Sequence, residues 1–452
     1  MTDIPHFHHA LKIKDDLCIG CSHCMAVCPT EALRIKGGKA RLNDNRCVDC
    51  GECFKACPAS AIIIEHDDFN KIFEFTYRIA LVPAIFIGQF PDGVSIRQIY
   101  SILMEKGFTH IFEVEQGVEV LIEAMNEKIR NENTIKPLIS SFCPAIIRLI
   151  QVKFPALVEN ILLLKPPLDI SALYCKKQLM DSGVPESEIG IFYITPCAAK
   201  IAAVKSPVGD DTSPITGVIN MDFIFNKVYR SLKHSSTDTC QIPLNKPLTG
   251  KALRWSLTDG ESDNLEGSSL AIDEIHNVIE FLEKIENDEI TDVDFLELRA
   301  CDESCAGGVL TTANRFLAAR RLKHRAEEKN QDDEFPEKET DISDYKNYLN
   351  QHITLSEVKP RSMMKLDENM SEAMKKMDKA NELIKQLPQV DCSVCGTPNC
   401  AALAEDIVQG KAKLNQCIFI QKKLEQKGKL PPEKSIEIIK EIWGNNKLEN
   451  NI

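Results

Sequence analysis

The arrangement of its cysteines constrains this 452-residue chain more than any other feature: sixteen of the eighteen fall into four groups of four. Two groups are tandem repeats, Cys18-Ile-Gly-Cys21-Ser-His-Cys24-Met-Ala-Val-Cys28-Pro29 and Cys47-Val-Asp-Cys50-Gly-Glu-Cys53-Phe-Lys-Ala-Cys57-Pro58. The third is dispersed as Cys143, Cys197, Cys301 and Cys305, and the fourth is Cys392, Cys395, Cys400 and Cys417. In a C-x2-C-x2-C-x3-C-P run, three close thiolates wrap one 4Fe-4S cubane and the fourth cysteine reaches the other cluster. On that rule Cys18, Cys21, Cys24 and Cys57 hold one cluster, and Cys47, Cys50, Cys53 and Cys28 hold a second. Two zinc sites would also accept eight thiolates, but they explain neither the prolines nor the duplicated spacing. His6, His8, His9 and His23 are expected as exposed residues rather than ligands, since every cluster already has four sulfurs.

Eighteen cysteines behind an amino terminus with no apolar h-region read as metal thiolates in a reducing compartment, not as disulfides. A cytoplasmic protein of an anaerobe is the expectation. The longest apolar run, residues 79–88, is far short of the roughly 20 residues that cross a bilayer. A net charge of −13 argues against nucleic acid or an anionic membrane surface as partner. Neither G-x-G-x-x-G nor G-x-x-x-x-G-K-[ST] occurs, so electrons from NADH would have to enter through another subunit.

The chain divides into four blocks. Residues 10–66 hold the tandem repeat. Residues 76–325 alternate short apolar runs, such as IALVPAIFI (79–87) and IGIFYIT (189–195), with amphipathic stretches such as SIRQIYSILMEKG (95–107), which predicts an α/β domain. Residues 326–365 form an acidic linker, with nine acids against two lysines over 326–344. Residues 366–452 open with a helix whose Met370, Ala373, Met377, Ala380, Ile384 and Leu387 follow a and d spacing over about two and a half heptads. That stripe packs either within its own chain or across a homodimer. Cys175 and Cys240 have no partners in sequence and are expected as buried filler and an incidental thiol.

The repeat over 10–66 resembles bacterial two-cluster ferredoxins. The scattered cysteines lie in Ser140-Ser141-Phe142-Cys143-Pro144-Ala145, in Thr195-Pro196-Cys197-Ala198-Ala199-Lys200, and in Leu298-Arg299-Ala300-Cys301-Asp302-Glu303-Ser304-Cys305-Ala306-Gly307-Gly308. These three segments resemble the signature loops of the iron-iron (FeFe) hydrogenases, in order and across 76–325. The resemblance implies a two-lobed fold with small, mostly parallel sheets closing over an H-cluster. That cofactor is a cubane bridged by a thiolate to a two-iron subsite carrying CO, cyanide and a dithiolate. It further implies that Cys143, Cys197, Cys301 and Cys305 ligate the cubane, with Cys305 as the bridge. Lys200 would donate to one cyanide and the Pro83-Ala84 backbone would cap another.

Several departures qualify it. Phe142 stands where turnover hydrogenases carry a proton-relaying cysteine, and Arg299 where the family pattern has Met. Asp302, Glu303 and Ser304 replace small residues, Ala203 replaces a carboxylate, and Leu168 replaces a polar contact. Several of these features resemble the sensory branch of the family. A cubane without a two-iron subsite uses the same four thiolates, so spacing does not separate the two. The last group, in LPQVDCSVCGTPNCAALAEDIVQGKAKLNQC (387–417), resembles the small α-helical 4Fe-4S domain of corrinoid and electron-transport iron–sulfur proteins, with zinc as the alternative.

The expected whole is a sensory or low-turnover FeFe hydrogenase, an oxidoreductase of the ferredoxin hydrogenase type, exchanging electrons between H2/H+ and iron–sulfur partners. Lys200 and Cys305 would stand at the reacting centre. Partners would be ferredoxin, an NADH-oxidising iron–sulfur subunit or a signalling output protein, with hydrogenase maturation enzymes required if the H-cluster is present. The alternatives are a scaffold of cubanes without enzymatic activity and a working hydrogenase with an unusual proton path.

Overall fold

The computed structural model describes residues 7–233, 248–328, 342–361, 366, 369–445 and 447. His6, Cys240 and the centre of the acidic run, 329–341, lie outside the described residues. The chain forms two compact units: Leu11–Ile64 with Arg361–Ile452, and Met1–Ala10 with Glu65–Pro360. The two end blocks, separate when read along the sequence, therefore fold as one body.

In that body, β1 (Leu11–Ile13) pairs antiparallel with β4 (Ile62–Ile64), so the start and finish of the tandem repeat close on each other. A hairpin of β2 (Leu33–Lys36) and β3 (Lys39–Leu42) separates the two cysteine runs and turns at Gly37-Gly38. The duplication persists in detail. The Ala32 N–H donates to Cys28 Sγ and the Ala61 N–H to Cys57 Sγ, both at 3.2 Å, and each closes the turn after its Cys-Pro pair.

The carboxy-terminal segment supplies helices Met370–Gln386, Cys400–Val408, Ile418–Gln426 and Pro432–Trp443. Ala380, Leu383 and Leu387 pack with Leu403, Ala404, Cys400 and Cys417, so the second half of the heptad stripe is consumed inside its own unit. Met374 and Met377 remain exposed.

The other unit carries two parallel sheets. One has the order β6 (His110–Glu113), β5 (Tyr77–Val82), β8 (Ile189–Thr195), β9 (Gly217–Asn220). All seven residues of IGIFYIT are buried, as a central parallel strand covered on both faces requires. The other sheet has the order β10 (Ser269–Ile272), β11 (Phe295–Leu298), β7 (Leu138–Ile139). This is the mixed α/β architecture with small parallel sheets that the sequence suggested. The helix expected over 95–107 runs Ile96–Glu105, opened by a Ser95–Gln98 capping box.

Two expectations change. The run 79–87 is half strand, because Pro83 ends β5 and caps the short helix Ala84–Gly88. Of the segment read as linker, the described stretch 342–361 is docked instead: Ile342, Leu349, Ile353 and Val358 are buried, and Lys165 N–H donates to Ile353 O at 2.7 Å. Four apolar anchors in an otherwise polar stretch suffice to hold it down. Among the described residues no helix is long and apolar enough to cross a membrane.

Candidate functional site

In the larger unit the sequence-predicted residues all follow the carboxyl ends of parallel strands, where α/β sheets place their ligands. Pro83 follows β5, Cys143 the short β7, Cys197 follows β8 and Cys301 follows β11. Cys143 and Cys197 are the N-caps of helices Pro144–Lys153 and Ala198–Lys205, whose amino ends favour an anionic group. Gly308 lets the last loop meet the second, since a Cβ there would fall 2.6 Å from Pro196 O.

The loops bring Cys143, Cys197 and Cys305 together around Lys200, with Cys301 in the same loop as Cys305. Burial pushes the Cys197 thiol up to about 12 against the pull of Lys200, and Cys305 and Cys143 raise it further. Burial opposes the charge on Lys200, but Cys305, Tyr193, Cys197 and Cys143 outweigh it and raise its pKa. Its Nζ lies 3.8 Å from Cys305 Sγ. Four thiolates with a buried cation beside them fit an anionic cubane.

The substituted positions form one assembly. Phe142, 5% exposed, contacts two cations: Lys200 Nζ is 4.3 Å from its ring centroid and the Arg299 guanidinium 3.8 Å. Arg299 is itself buried and faces two buried carboxyls, Glu261 Oε2 at 3.3 Å and Glu297 Oε1 at 3.4 Å. Glu297 also accepts from the N–H groups of Glu261 and Ser262. Burial raises the pKa of both carboxyls while Arg299 lowers it. Asp302 turns outward, half exposed, and pairs with Arg315 at 2.5 Å, so it adds little negative charge at the thiols.

Two groups expected at a two-iron subsite have protein neighbours in this structure. The Ala84 N–H, expected to cap a cyanide, donates instead to buried Glu115 Oε2 at 2.8 Å. Lys200, expected to hold the other, faces a thiol and an aromatic ring. Beside them, a mostly apolar cavity of about 80 Å³ is lined by Phe142, Leu168, Asp169, Lys200 and Ala203 among others. Sequence reading missed Glu115, Glu261 and Glu297. The available signal was a glutamate inside the apolar strand Phe295-Leu296-Glu297-Leu298, where every residue is buried.

In the smaller unit the cysteines of the two tandem runs lie close enough to perturb one another. Burial pushes the Cys24 thiol up to about 12, and Cys21, Cys18 and Cys57 add to it. Cys28 raises Cys47, Cys50 and Cys53 in addition to their burial. In the last group, burial raises Cys395, with Cys417 and Cys392 contributing, and Thr397 Oγ1 lies 3.1 Å from its sulfur. Cys175 is fully buried and donates to Ala172 O at 3.3 Å, as filler would. His23 is exposed and His8 half-buried, whereas His9 is buried, contrary to expectation.

Comparison with known proteins agrees with this partition. Residues 10–67 match the family model for the 4Fe-4S dicluster domain, residues 78–222 that for the iron only hydrogenase large subunit, C-terminal domain, and residues 387–419 an Fe-S cluster family. The hydrogenase match stops short of Cys301. The corrinoid/iron-sulfur protein large subunit of Moorella thermoacetica is 46% identical over 39 residues, 9% of each chain. The NADP-reducing hydrogenase subunit HndD of Solidesulfovibrio fructosivorans is 23% identical over 281 residues, 55% of this chain and 42% of the relative. The chain thus spans less than half the length of either curated relative. The solved FeFe-hydrogenase HydA1 of Chlamydomonas reinhardtii aligns with a TM-score of 0.46 and 16% identity over 63% of this chain and 94% of its own. The chain is an FeFe-hydrogenase-like iron–sulfur protein, with a hydrogenase large-subunit segment between an amino-terminal 4Fe-4S dicluster domain and a carboxy-terminal Fe-S cluster domain.

Proposed function

We propose that the chain is a four-cubane electron carrier whose hydrogenase-like unit holds a 4Fe-4S cluster and no two-iron subsite. Its ligands would be Cys143, Cys197, Cys301 and Cys305, alongside the two crossed ferredoxin-type sets and Cys392, Cys395, Cys400 and Cys417. One observation carries this reading: the Ala84 N–H that would cap a cyanide is already engaged by the buried Glu115 carboxyl. Lys200 and Arg299 then offset the negative charge of a thiolate-bound cubane and raise its potential, a lever such sites commonly use. Its electrons would be exchanged with iron–sulfur redox partners in a reducing compartment.

A second reading, a hydrogen sensor or low-turnover hydrogenase, is favoured by the family match over 78–222 and by retention of Lys200 beside Cys305. Phe142 has no transferable proton, so turnover would be weak in that case. Infrared spectroscopy of protein matured with hydrogenase maturation enzymes separates the two. No bands from iron-bound carbonyl and cyanide are expected, while an active control hydrogenase matured in parallel shows them. Their presence here would replace the carrier reading with the sensor. Iron should approach sixteen atoms per chain if all four sites are cubanes, counted on four irons for each cysteine set.

A further inference from the structure

The hairpin β2–β3 and the loop after Cys28 do more than separate the ferredoxin-type runs; they are the seat of the carboxy-terminal cluster segment. Arg34, in β2, makes a two-pronged pair with Asp406 of helix Cys400–Val408, Nε to Oδ2 at 2.8 Å and Nη2 to Oδ1 at 3.3 Å, with both side chains buried. Arg46, immediately before Cys47, pairs with Glu405 and with Glu31. The Ile35 N–H donates to Gly396 O at 2.8 Å, and the Gly37 and Gly38 N–H groups donate to Glu441 O and Ile442 O at 2.9 Å. Gly396 follows Cys395, and a Cβ there would fall 2.4 Å from Ile35 O, so the two backbones approach as closely as chains can.

The contact nearest the cysteines is Asn399 Nδ2 donating to Glu31 Oε1 at 2.6 Å. Asn399 is covalently adjacent to Cys400, and Glu31 is three residues after Cys28. The Glu31 N–H in turn donates to Cys28 O at 3.1 Å, which ties that side chain back to the cysteine loop. A buried, two-pronged ion pair and a run of main-chain bonds are an expensive arrangement for a module that swings free, because both charges are desolvated only in the docked state.

We propose that the carboxy-terminal cubane is a fixed third member of the ferredoxin wire. It exchanges electrons with the cluster of Cys28, Cys47, Cys50 and Cys53 through the Cys28–Glu31···Asn399–Cys400 bridge. The step is a one-electron self-exchange between like centres: a reduced cubane at one site loses an electron as the oxidised cubane at the other gains it, and no bond or proton need move. A one-electron iron–sulfur donor protein loads the wire. This rests on cubanes at both places and is independent of what the larger unit holds.

The test uses the full chain, reconstituted anaerobically and reduced with dithionite. Electron paramagnetic resonance should show a carboxy-terminal signal split or broadened by its reduced neighbours. The difference between wild type and Cys417→Ala should therefore not be a simple isolated cubane spectrum. A double variant, Glu31→Gln with Asn399→Ala, retains every thiol. It should keep wild-type iron content and slow electron equilibration into the carboxy-terminal cluster at least tenfold. A spectrum that is a plain sum of independent clusters, or zinc in the last site, overturns the proposal. An unchanged equilibration rate in the double variant overturns the bridge. Carbonyl and cyanide bands would bear on the larger unit alone.

Discussion

The Arg299 guanidinium lies 3.8 Å from the centre of the Phe142 ring, so the two departures nearest the thiols of the hydrogenase-like unit are partners. Lys200 covers the ring from 4.3 Å. Neither replacement makes physical sense alone. A guanidinium in this buried place needs a π face and carboxyls to receive it, and the ring offers that face to both cations.

Removing the ring should therefore cost more than its volume. Phe142→Ala should destabilise the larger unit by about 3–5 kcal/mol, the range for a large buried aromatic. Phe142→Leu, which keeps most of the volume, should cost about 1–2 kcal/mol, the scale of desolvated cation–π contacts. Denaturant melts of the two variants, and a double-mutant cycle with Arg299→Met, would measure the coupling. Additive effects would mean that the contact carries no energy.

Phe142→Cys distinguishes the two functional readings without spectroscopy. If the unit holds only a cubane, the new thiol has no two-iron site to serve, and hydrogen turnover stays at background. If an H-cluster is present, restoring a proton relay should raise turnover at least tenfold, at the cautious end of general acid–base contributions of about 10²–10⁴. Hydrogen evolution from reduced methyl viologen reads the difference.

Glu115 provides a pH handle. Burial raises its pKa from 4.5 to about 8, opposed by the Ala84 N–H and by Lys200. The folded state therefore holds a proton that the unfolded chain releases near 4.5. Stability from this group is fully present below pH 4.5 and is lost as pH rises through about 8. Glu115→Gln should flatten that part of the curve, seen as a smaller drop in Tm between pH 5 and 8.5. An unchanged slope would show that the carboxyl is ionised throughout.

Proteolysis within the acidic run should cut the chain without separating its pieces, because the carboxy-terminal segment is held to the ferredoxin-type segment by Arg34–Asp406 and its neighbours. Gel filtration of nicked protein should show both fragments co-eluting. Arg34→Met should weaken the association by about 3–5 kcal/mol, the cost of leaving a buried charge without its partner. Release of a free carboxy-terminal domain from the nicked wild type would contradict the single-unit fold.

Much was legible before any fold was known, because a cubane imposes its own geometry on sequence. Three ligands must lie within one tight loop, so spacing alone grouped Cys18, Cys21, Cys24 and Cys47, Cys50, Cys53. The same rule crosses Cys57 and Cys28 between the two clusters. A short, mostly apolar run between Glu188 and Pro196 located β8 to the residue. Tertiary structure alone decided the rest. That Glu115 would meet the Ala84 N–H, that Glu261 would receive Arg299, and that residues 11–64 would fold with 361–452 are contacts between places far apart in the chain. Periodicity reports which face of an element is buried and ligand spacing reports local loops. Which buried charge meets which is fixed only when the elements pack, because a desolvated carboxyl or guanidinium is tolerable solely beside the partner that the fold delivers.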